Sequence, residues 1–313
     1  MKILVTGGAG FIGSHLVDRL VADEHDVIVM DNLSGGNLDM IKGHLGAIEI
    51  VQADITVETD LVNVMDDIEV VFHLAADPDV RAGFKRSAFQ IEQNLVGTYN
   101  LLDAMVDTDV KMFAFTSTST VYGNASVIPT PEDYGPLLPI SVYGATKLAC
   151  EGLISAFADN YGFDSVLYRF ANVVGPRSTH GVIFDFVNKL RTNPSELEIL
   201  GDGTQRKSYF SVSDCIEAMI HGWKNTSGVE PYNIGSVDVI DVTTLANIVV
   251  EEMGLDDVKY RYTGGVGGAG WKGDVKYMQL AIDKMEGIGW KPLHDSSEAV
   301  RLAVRHIIGT ASV

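Results

Sequence analysis

Residues 2 to 20 read KILVTGGAGFIGSHLVDRL. The apolar run ILVT (3 to 6) has the texture of a buried strand, and Phe11, Ile12, Leu16 and Leu20 then recur at helical spacing. Gly7, Gly10 and Gly13 lie between the two. Glycines so placed allow a tight turn and let the first N–H groups of the helix approach a pyrophosphate, whose charge the helix dipole favours. An acid in the right place adds weight. Asp31 closes the next apolar run, VIVM (27 to 30), 18 residues beyond Gly13, where a carboxylate can accept hydrogen bonds from ribose hydroxyls. A 2′-phosphate beside Asp31 would be repelled, and no Arg stands between Asp31 and Met40. The cofactor expected is therefore NAD rather than NADP.

Further apolar runs follow: IEIVQA (48 to 53), VVFHLAA (70 to 76), MFAFTS (112 to 117) and SVLYRF (165 to 170), with helical patterns between them. Near-continuous apolar strands alternating with helices imply a parallel sheet covered on both faces. The fold class predicted is α/β, a Rossmann-type doubly wound parallel sheet over residues 1 to 174 with a smaller C-terminal α/β substrate lobe over 175 to 313. The IGS at 234 to 236 and the helical LANIVVEEMG from Leu245 (about 234 to 254) are expected to return to the first domain. A second glycine pattern, from Gly265 to Gly270, is followed by WKGDVKYM, which lacks an apolar helix face, and is read as a loop.

The chain has 313 residues, is 46% hydrophobic and carries a formal charge of −19. Its acidic residues are scattered, which argues against nucleic acid or an anionic membrane as partner. Cys150 and Cys215 stand far apart and the eight His show no ligand-like spacing, so neither a disulfide framework nor a metal site is expected. MKILVTGG runs straight into the glycine loop and no apolar run reaches spanning length, so neither a secretion signal nor a membrane helix is expected, and the compartment read is the cytoplasm.

Tyr143 has a Lys four positions later, in SVYGATKLACEG, and helical spacing puts Tyr143 and Lys147 on one face. A Tyr near pKa 10 is a poor base at neutral pH, but a neighbouring ammonium and an oxidised nicotinamide both favour phenolate. Upstream, the fifth strand runs into FTSTSTVYG at the sheet's carboxyl edge, where ligands bind in open α/β folds. Thr118 lies there and can hydrogen bond to a reacting hydroxyl. Asp54 and Ile55 end the third strand, within reach of an adenine or as a turn cap. His73, on the fourth strand, reads as a satisfied core residue rather than a catalyst.

These stretches together resemble the extended short-chain dehydrogenase/reductase family, of the NAD-dependent epimerase/dehydratase type. The resemblance runs through TGGAGFIGSHLVD, DNLSGGN, FHLAA, QNLVGTYNLL, TSTSTVYG, YGATK, RFANVVGPR, GDGTQRKSY and GDVKYM, and is nearest to archaeal-type UDP-glucose (UDP-galactose) 4-epimerases. It implies Tyr143 as catalytic base, Lys147 on the nicotinamide ribose and Thr118 at the sugar 4-hydroxyl. Gly7, Gly10, Phe11, Ile12, Gly13, Asp31, Asn32, Asp54, Ile55, Leu74, Ala75, Ala76, Asn94, Ser117, Tyr143, Lys147 and Phe170 are implied at the NAD site. Asn172 is implied at the substrate diphosphate.

The activity so implied is 4-epimerisation of a UDP-hexose through a 4-keto intermediate, with NAD regenerated in each cycle. Related dehydratases carry an Asp-Glu pair where Ser119 and Thr120 stand here, and related decarboxylases a Glu at Thr120, so epimerisation is favoured over elimination. Members commonly have Arg at the position of Lys207 and another before the late Gly-Asp. Here Lys207, Arg206 and Lys272 are expected to form the diphosphate clamp, and Lys holds phosphate less directionally than Arg. UDP-glucuronate and UDP-N-acetylhexosamine 4-epimerases remain open as alternatives, as does a noncatalytic NAD-binding protein. Apolar helix faces at 91 to 106 and 148 to 161 exceed what the sheet needs, and in the family such a pair makes a homodimer.

Overall fold

The computed structural model describes residues 1–309 except 63 and 266, with residue 82 described through its backbone alone. Position 266 falls inside the glycine stretch read as a loop. Six early strands, β1 (Lys2–Thr6), β2 (Asp26–Asp31), β3 (Glu49–Gln52), β4 (Val70–His73), β5 (Met112–Thr118) and β6 (Asp164–Phe170), share one seven-stranded sheet with the late strand Val229–Ile234. The spatial order is Val229–Ile234, β6, β5, β4, β1, β2, β3. β1 pairs in parallel with β2 and β4, β2 with β3, and β4 with β5. The order reverses at β1, and the crevice beyond the carboxyl ends of β1 and β4 is where such sheets take ligands.

The central strands are buried on both faces, as their unbroken apolar texture requires: every residue of β5 is buried, and so is every residue of β1 after Lys2, whereas the edge strand β3 has no buried residue. Leu4, Ile28, Leu101, Phe113, Phe115, Cys150 and Ile154 belong to one core beneath this sheet. α1 (Phe11–Ala22) turns Leu16, Val17 and Leu20 inward. The long helix Val142–Tyr161 starts where the Ser141 hydroxyl accepts the Gly144 N–H at 3.0 Å, a cap worth about 1 kcal/mol. It stops at Gly162, whose φ of 77° is the left-handed conformation that ends helices.

The chain divides into two compact units, and the division differs from the one expected. The first unit comprises Met1–Tyr122, Leu137–Arg169 and Met219–Tyr232, and the second comprises Gly123–Pro136, Phe170–Ala218 and Asn233–Val313. The segment that returns to the first unit is thus 219 to 232 rather than 234 to 254. The physical reason is burial: Leu245, Ala246, Ile248 and Val249 of the helix Val242–Glu252 pack into the second unit's own core with Phe186, Leu197 and Val300. Residues 123 to 136 join that unit through Asn233, whose side-chain amide donates to Thr130 and Ala281 carbonyls at 2.9 and 3.0 Å. Three small sheets and the helices Val182–Thr192, Val242–Glu252 and Ser296–Gly309 complete a second α/β lobe. Among the described residues no helix is long and apolar enough to cross a membrane, and no cluster of three or more His, Cys, Asp or Glu could hold a metal ion.

Candidate active site

The glycine loop leaves β1 at Gly7, whose φ is 71°, and a Cβ there would stand 2.7 Å from the Ala75 nitrogen. A Cβ at Gly13 would collide with the Gly7 carbonyl. Gly10 caps α1 without any side-chain hydrogen bond, so the first N–H groups of the helix have no intrinsic capping acceptor. At the end of β2, Asp31 is 9% exposed and accepts the Ala9 and Leu33 N–H groups at 3.0 and 2.8 Å. Burial pushes its carboxyl up, with those two bonds acting in opposition. Two lone-pair directions remain for vicinal hydroxyls. Tight loop, uncapped helix start and acid together fit a dinucleotide.

Around them, Asn32 donates to Asp54 at 2.9 Å, and Asp54 accepts the N–H and hydroxyl of Thr56. Burial pushes Asp54 up, but these bonds outweigh it and hold the carboxyl below its usual range. Asp54 is therefore a turn-capping residue as well as an adenine candidate. Phe11, Ile12, Leu74, Ala75 and Ala76 keep partial exposure at the carboxyl edge, whereas Ile55 is buried in the core.

Tyr143 and Lys147 lie one turn apart on the helix Val142–Tyr161, with Tyr143 partly accessible and Lys147 2% exposed. Lys147 donates to the Thr116 carbonyl at 2.8 Å and its nitrogen lies 4.6 Å from the Phe115 ring centre. Burial lowers its pKa to about 8. Burial, then the Asp77 carboxylate and the Cys150 thiol, push the Tyr143 phenol up rather than down. The Thr118 hydroxyl accepts the Thr120 N–H at 3.1 Å and sits 3.2 Å from the Thr120 hydroxyl.

Two residues expected at the cofactor have side chains bonded within the protein. Neighbouring residues of a strand face opposite ways, and Ser117 donates to Glu151 at 2.5 Å instead of sharing the face of Thr118. Glu151 in turn binds Arg169 through both oxygens at 3.0 and 2.7 Å, and Arg169 donates to the Tyr122 hydroxyl at 2.9 Å. Asn94 is 2% exposed on a π-helical turn, Ile91–Val96, of the kind often found near functional sites. Its amide is consumed by the Asp77 backbone and the Thr146 hydroxyl. Glu151, Arg169, Asp77 and Thr146 escaped the sequence reading, since their partners are far away in the chain.

Phe170, Asn172, Arg206, Lys207 and Lys272 all belong to the second unit. Phe170 packs near Phe210, with ring centres 6.3 Å apart, and Asn172 donates to the Ser208 carbonyl at 3.0 Å. The three cations expected to form a diphosphate clamp differ in their surroundings. Arg206–Lys207 is a two-residue strand, so Arg206 is exposed while Lys207 turns inward to Asp274 at 2.5 Å and stands 5.2 Å from the Trp271 ring centre. Lys272 is exposed, on the segment after Trp271.

Chains of this shape and sequence are known. A protein of Methanocaldococcus jannaschii described as a putative UDP-glucose 4-epimerase is 36% identical over 312 residues, covering 96% of this chain and 97% of its own. The crystal structure of a UDP-galactose 4-epimerase, 41% identical, superposes with a TM-score of 0.89 over 99% of both chains. A UDP-N-acetylglucosamine 4-epimerase from Methanobrevibacter ruminantium, solved with UDP-N-acetylmuramic acid, is 29% identical with a TM-score of 0.88, covering 99% of this chain and 98% of its own. The glycine loop, the acid-tipped second strand and the parallel sheet all fall within residues 3–235, which match the family model described as the NAD dependent epimerase/dehydratase family, and to that family this chain belongs.

Proposed function

We propose that this protein is a nucleotide-sugar 4-epimerase that acts on a UDP-hexose, with NAD held by the glycine loop and Asp31. The observation that carries the reading is Tyr143 and Lys147 on one turn of the helix beside β5, whose carboxyl end bears Thr118. Bound NAD supplies a hydride acceptor and donor for sugar C4 and, when oxidised, a positive charge that favours Tyr143 phenolate. Tyr143 then takes the 4-hydroxyl proton and later returns one to the 4-keto oxygen. Thr118 accepts the Thr120 N–H, and when the neighbouring Thr120 hydroxyl is the donor of the 3.2 Å bond between the two, Thr118 keeps its own proton to hold the reacting oxygen in line. With Ser119 and Thr120 beside it, no carboxylate adjoins Thr118 to drive elimination.

Tyr143→Phe is the decisive variant. It should keep the fold and the bound cofactor while turnover of UDP-glucose to UDP-galactose falls about two to four orders of magnitude. Turnover within a few-fold of wild type would mean that another group is the base. UDP-glucuronate and UDP-N-acetylglucosamine, offered in the same assay, separate the alternative substrates.

We further infer that two copies pair through the helical face bearing Ile91, Val96, Tyr99 and Tyr161, all at least 41% exposed. Tyr99 and Phe157 stack edge to face on that side, 6.3 Å apart. Sedimentation that gives a monomer at micromolar concentration would remove the pairing.

A further inference from the structure

The loop that leaves β4 carries a carboxylate with no part in the scheme so far. Asp77 follows Leu74, Ala75 and Ala76, and Asn94 clamps its backbone from both sides, accepting its N–H at 2.7 Å and donating to its carbonyl at 3.2 Å. The same Asn94 amide reaches the Thr146 hydroxyl at 3.3 Å, and Thr146 donates to the Tyr143 carbonyl at 2.8 Å. One hydrogen-bonded unit thus ties Asp77 to the first turn of the helix that bears Tyr143. The Asp77 side chain is 10% exposed, and its Oδ1 accepts the Asp79 N–H at 3.2 Å. Its Oδ2 is buried without a hydrogen-bond partner, and the half-exposed Arg86 stands off at 3.8 Å. A buried carboxylate oxygen that lacks a donor costs stability, and one held on a frame bonded to the first turn of the Tyr143 helix calls for an incoming donor.

We propose that Asp77 is a specificity-determining residue that selects a neutral sugar ring over a uronate, its Oδ2 accepting a hydroxyl of the ring. This rests on the reading of Tyr143 as the group that meets the sugar's 4-hydroxyl. Once O4 is fixed there, the substituents on C3 and C5 flank it and lie nearest the surrounding side chains. A neutral hexose brings O–H donors to Asp77, and hydrogen bonds to a carboxylate are the strong kind. A uronate brings a second carboxylate on C5, vicinal to the reacting carbon, into a site with little screening. The field of Asp77 does reach this point, for it helps to hold the Tyr143 phenol up. The Lys147 ammonium points to the Thr116 carbonyl and the Phe115 ring of β5. Arg86 offsets the Asp77 field only through a solvated side chain on the far side of the ion contact.

The test is calorimetric titration of the NAD-loaded protein with UDP-glucose and with UDP-glucuronate. Wild type should bind UDP-glucose at least about tenfold more tightly, the size expected for two like charges a sugar's width apart in a protein-like dielectric. Asp77→Asn removes the charge and keeps the shape, and should bring the two affinities within about threefold of each other. Asp77→Ser, which also removes the charge, gives the same readout if the Asn variant does not fold. Equal binding of both sugars by wild type, or a ratio unchanged in the variants, overturns the proposal. Tyr143→Phe, assayed for turnover alongside, keeps the two failures apart. An active Tyr143→Phe sinks the parent reading, whereas an inactive one with an unmoved Asp77 ratio sinks this proposal alone.

Discussion

The Lys147 ammonium donates to the Thr116 carbonyl at 2.8 Å from a position that is 2% exposed. One neutral acceptor and an aromatic ring do not replace the water that an ammonium loses, and burial accordingly brings its pKa to about 8, with Cys150 and Glu151 pulling weakly the other way. In the unfolded chain the same group titrates near pH 10.4. Between those values the unfolded state holds more protons, so stability rises with pH across that window, and below pH 8 the whole cost of the buried charge is present. That cost is on the order of 3 kcal/mol.

Lys147→Met should therefore be more stable than wild type at pH 7 by about 1–3 kcal/mol, part of the gain being lost with the bond to Thr116. Turnover should be abolished in the same protein. Urea midpoints with paired activity assays check this, and a midpoint below that of wild type contradicts it.

His73 supplies a second pH signature. The Thr98 hydroxyl spends its proton on the Asn94 carbonyl at 2.6 Å, so it must accept from His73 Nε2 at 2.9 Å. Nδ1 then takes the Thr6 hydroxyl proton at 2.7 Å, and the ring is the neutral Nε2–H tautomer. Burial, followed by Lys147, drops its pKa to about 3. From about pH 6.5 downward the unfolded chain gains a proton that the folded one refuses, so stability falls by about 1.4 kcal/mol per pH unit through this residue. His73→Gln should show a shallower loss between pH 6.5 and 4.5 in urea unfolding. An acid slope equal to that of wild type would remove the assignment.

The features legible in the sequence were the local ones. Gly7, Gly10 and Gly13, the acid 18 residues on and the Tyr-Lys pair are short-range patterns whose meaning a single strand or helix preserves. Ser117, implied at the NAD site by resemblance, has a side-chain partner that no local pattern shows, since strand alternation turns its hydroxyl to Glu151, 34 positions away. Asn94 was picked out for the cofactor, but its bonds to Asp77 and Thr146 depend on a π turn that no periodicity announces. The two units interleave because a strand from 229 to 234 completes the first sheet, a pairing across roughly sixty residues that local pattern cannot fix.

Asp31 offers a direct cofactor test. Both its oxygens already accept backbone N–H groups, at Ala9 and Leu33, which aim the remaining lone pairs. Asp31→Ala should weaken NAD binding and narrow the preference for NAD over NADP to within a few-fold, read by calorimetry. A wild type that prefers NADP would falsify the assignment.

Lys207 distinguishes a structural cation from a substrate-binding one. Its nitrogen meets Asp274 at 2.5 Å, and the two side chains are only 16% and 3% exposed. Asp274 also accepts the Gly270 N–H at 3.0 Å, so the pair anchors the segment that follows the glycine stretch. Truncating one member leaves the other buried and unpaired, which typically costs about 3–5 kcal/mol. Lys207→Ala should therefore lose stability on that scale. Lys207→Met combined with Asp274→Asn should recover part of the loss, because no charge is then stranded. Arg206 faces solvent from the opposite side of the strand, and with the exposed Lys272 it is the better candidate for a diphosphate. A diphosphate is held alike in ground and transition states, so Arg206→Ala and Lys272→Ala should each raise KM with little change in kcat. Exposed charges are screened by salt, so the wild-type KM should rise with ionic strength and that rise should shrink in both variants. A stable Lys207→Ala protein whose KM alone rises tenfold would instead return Lys207 to the clamp.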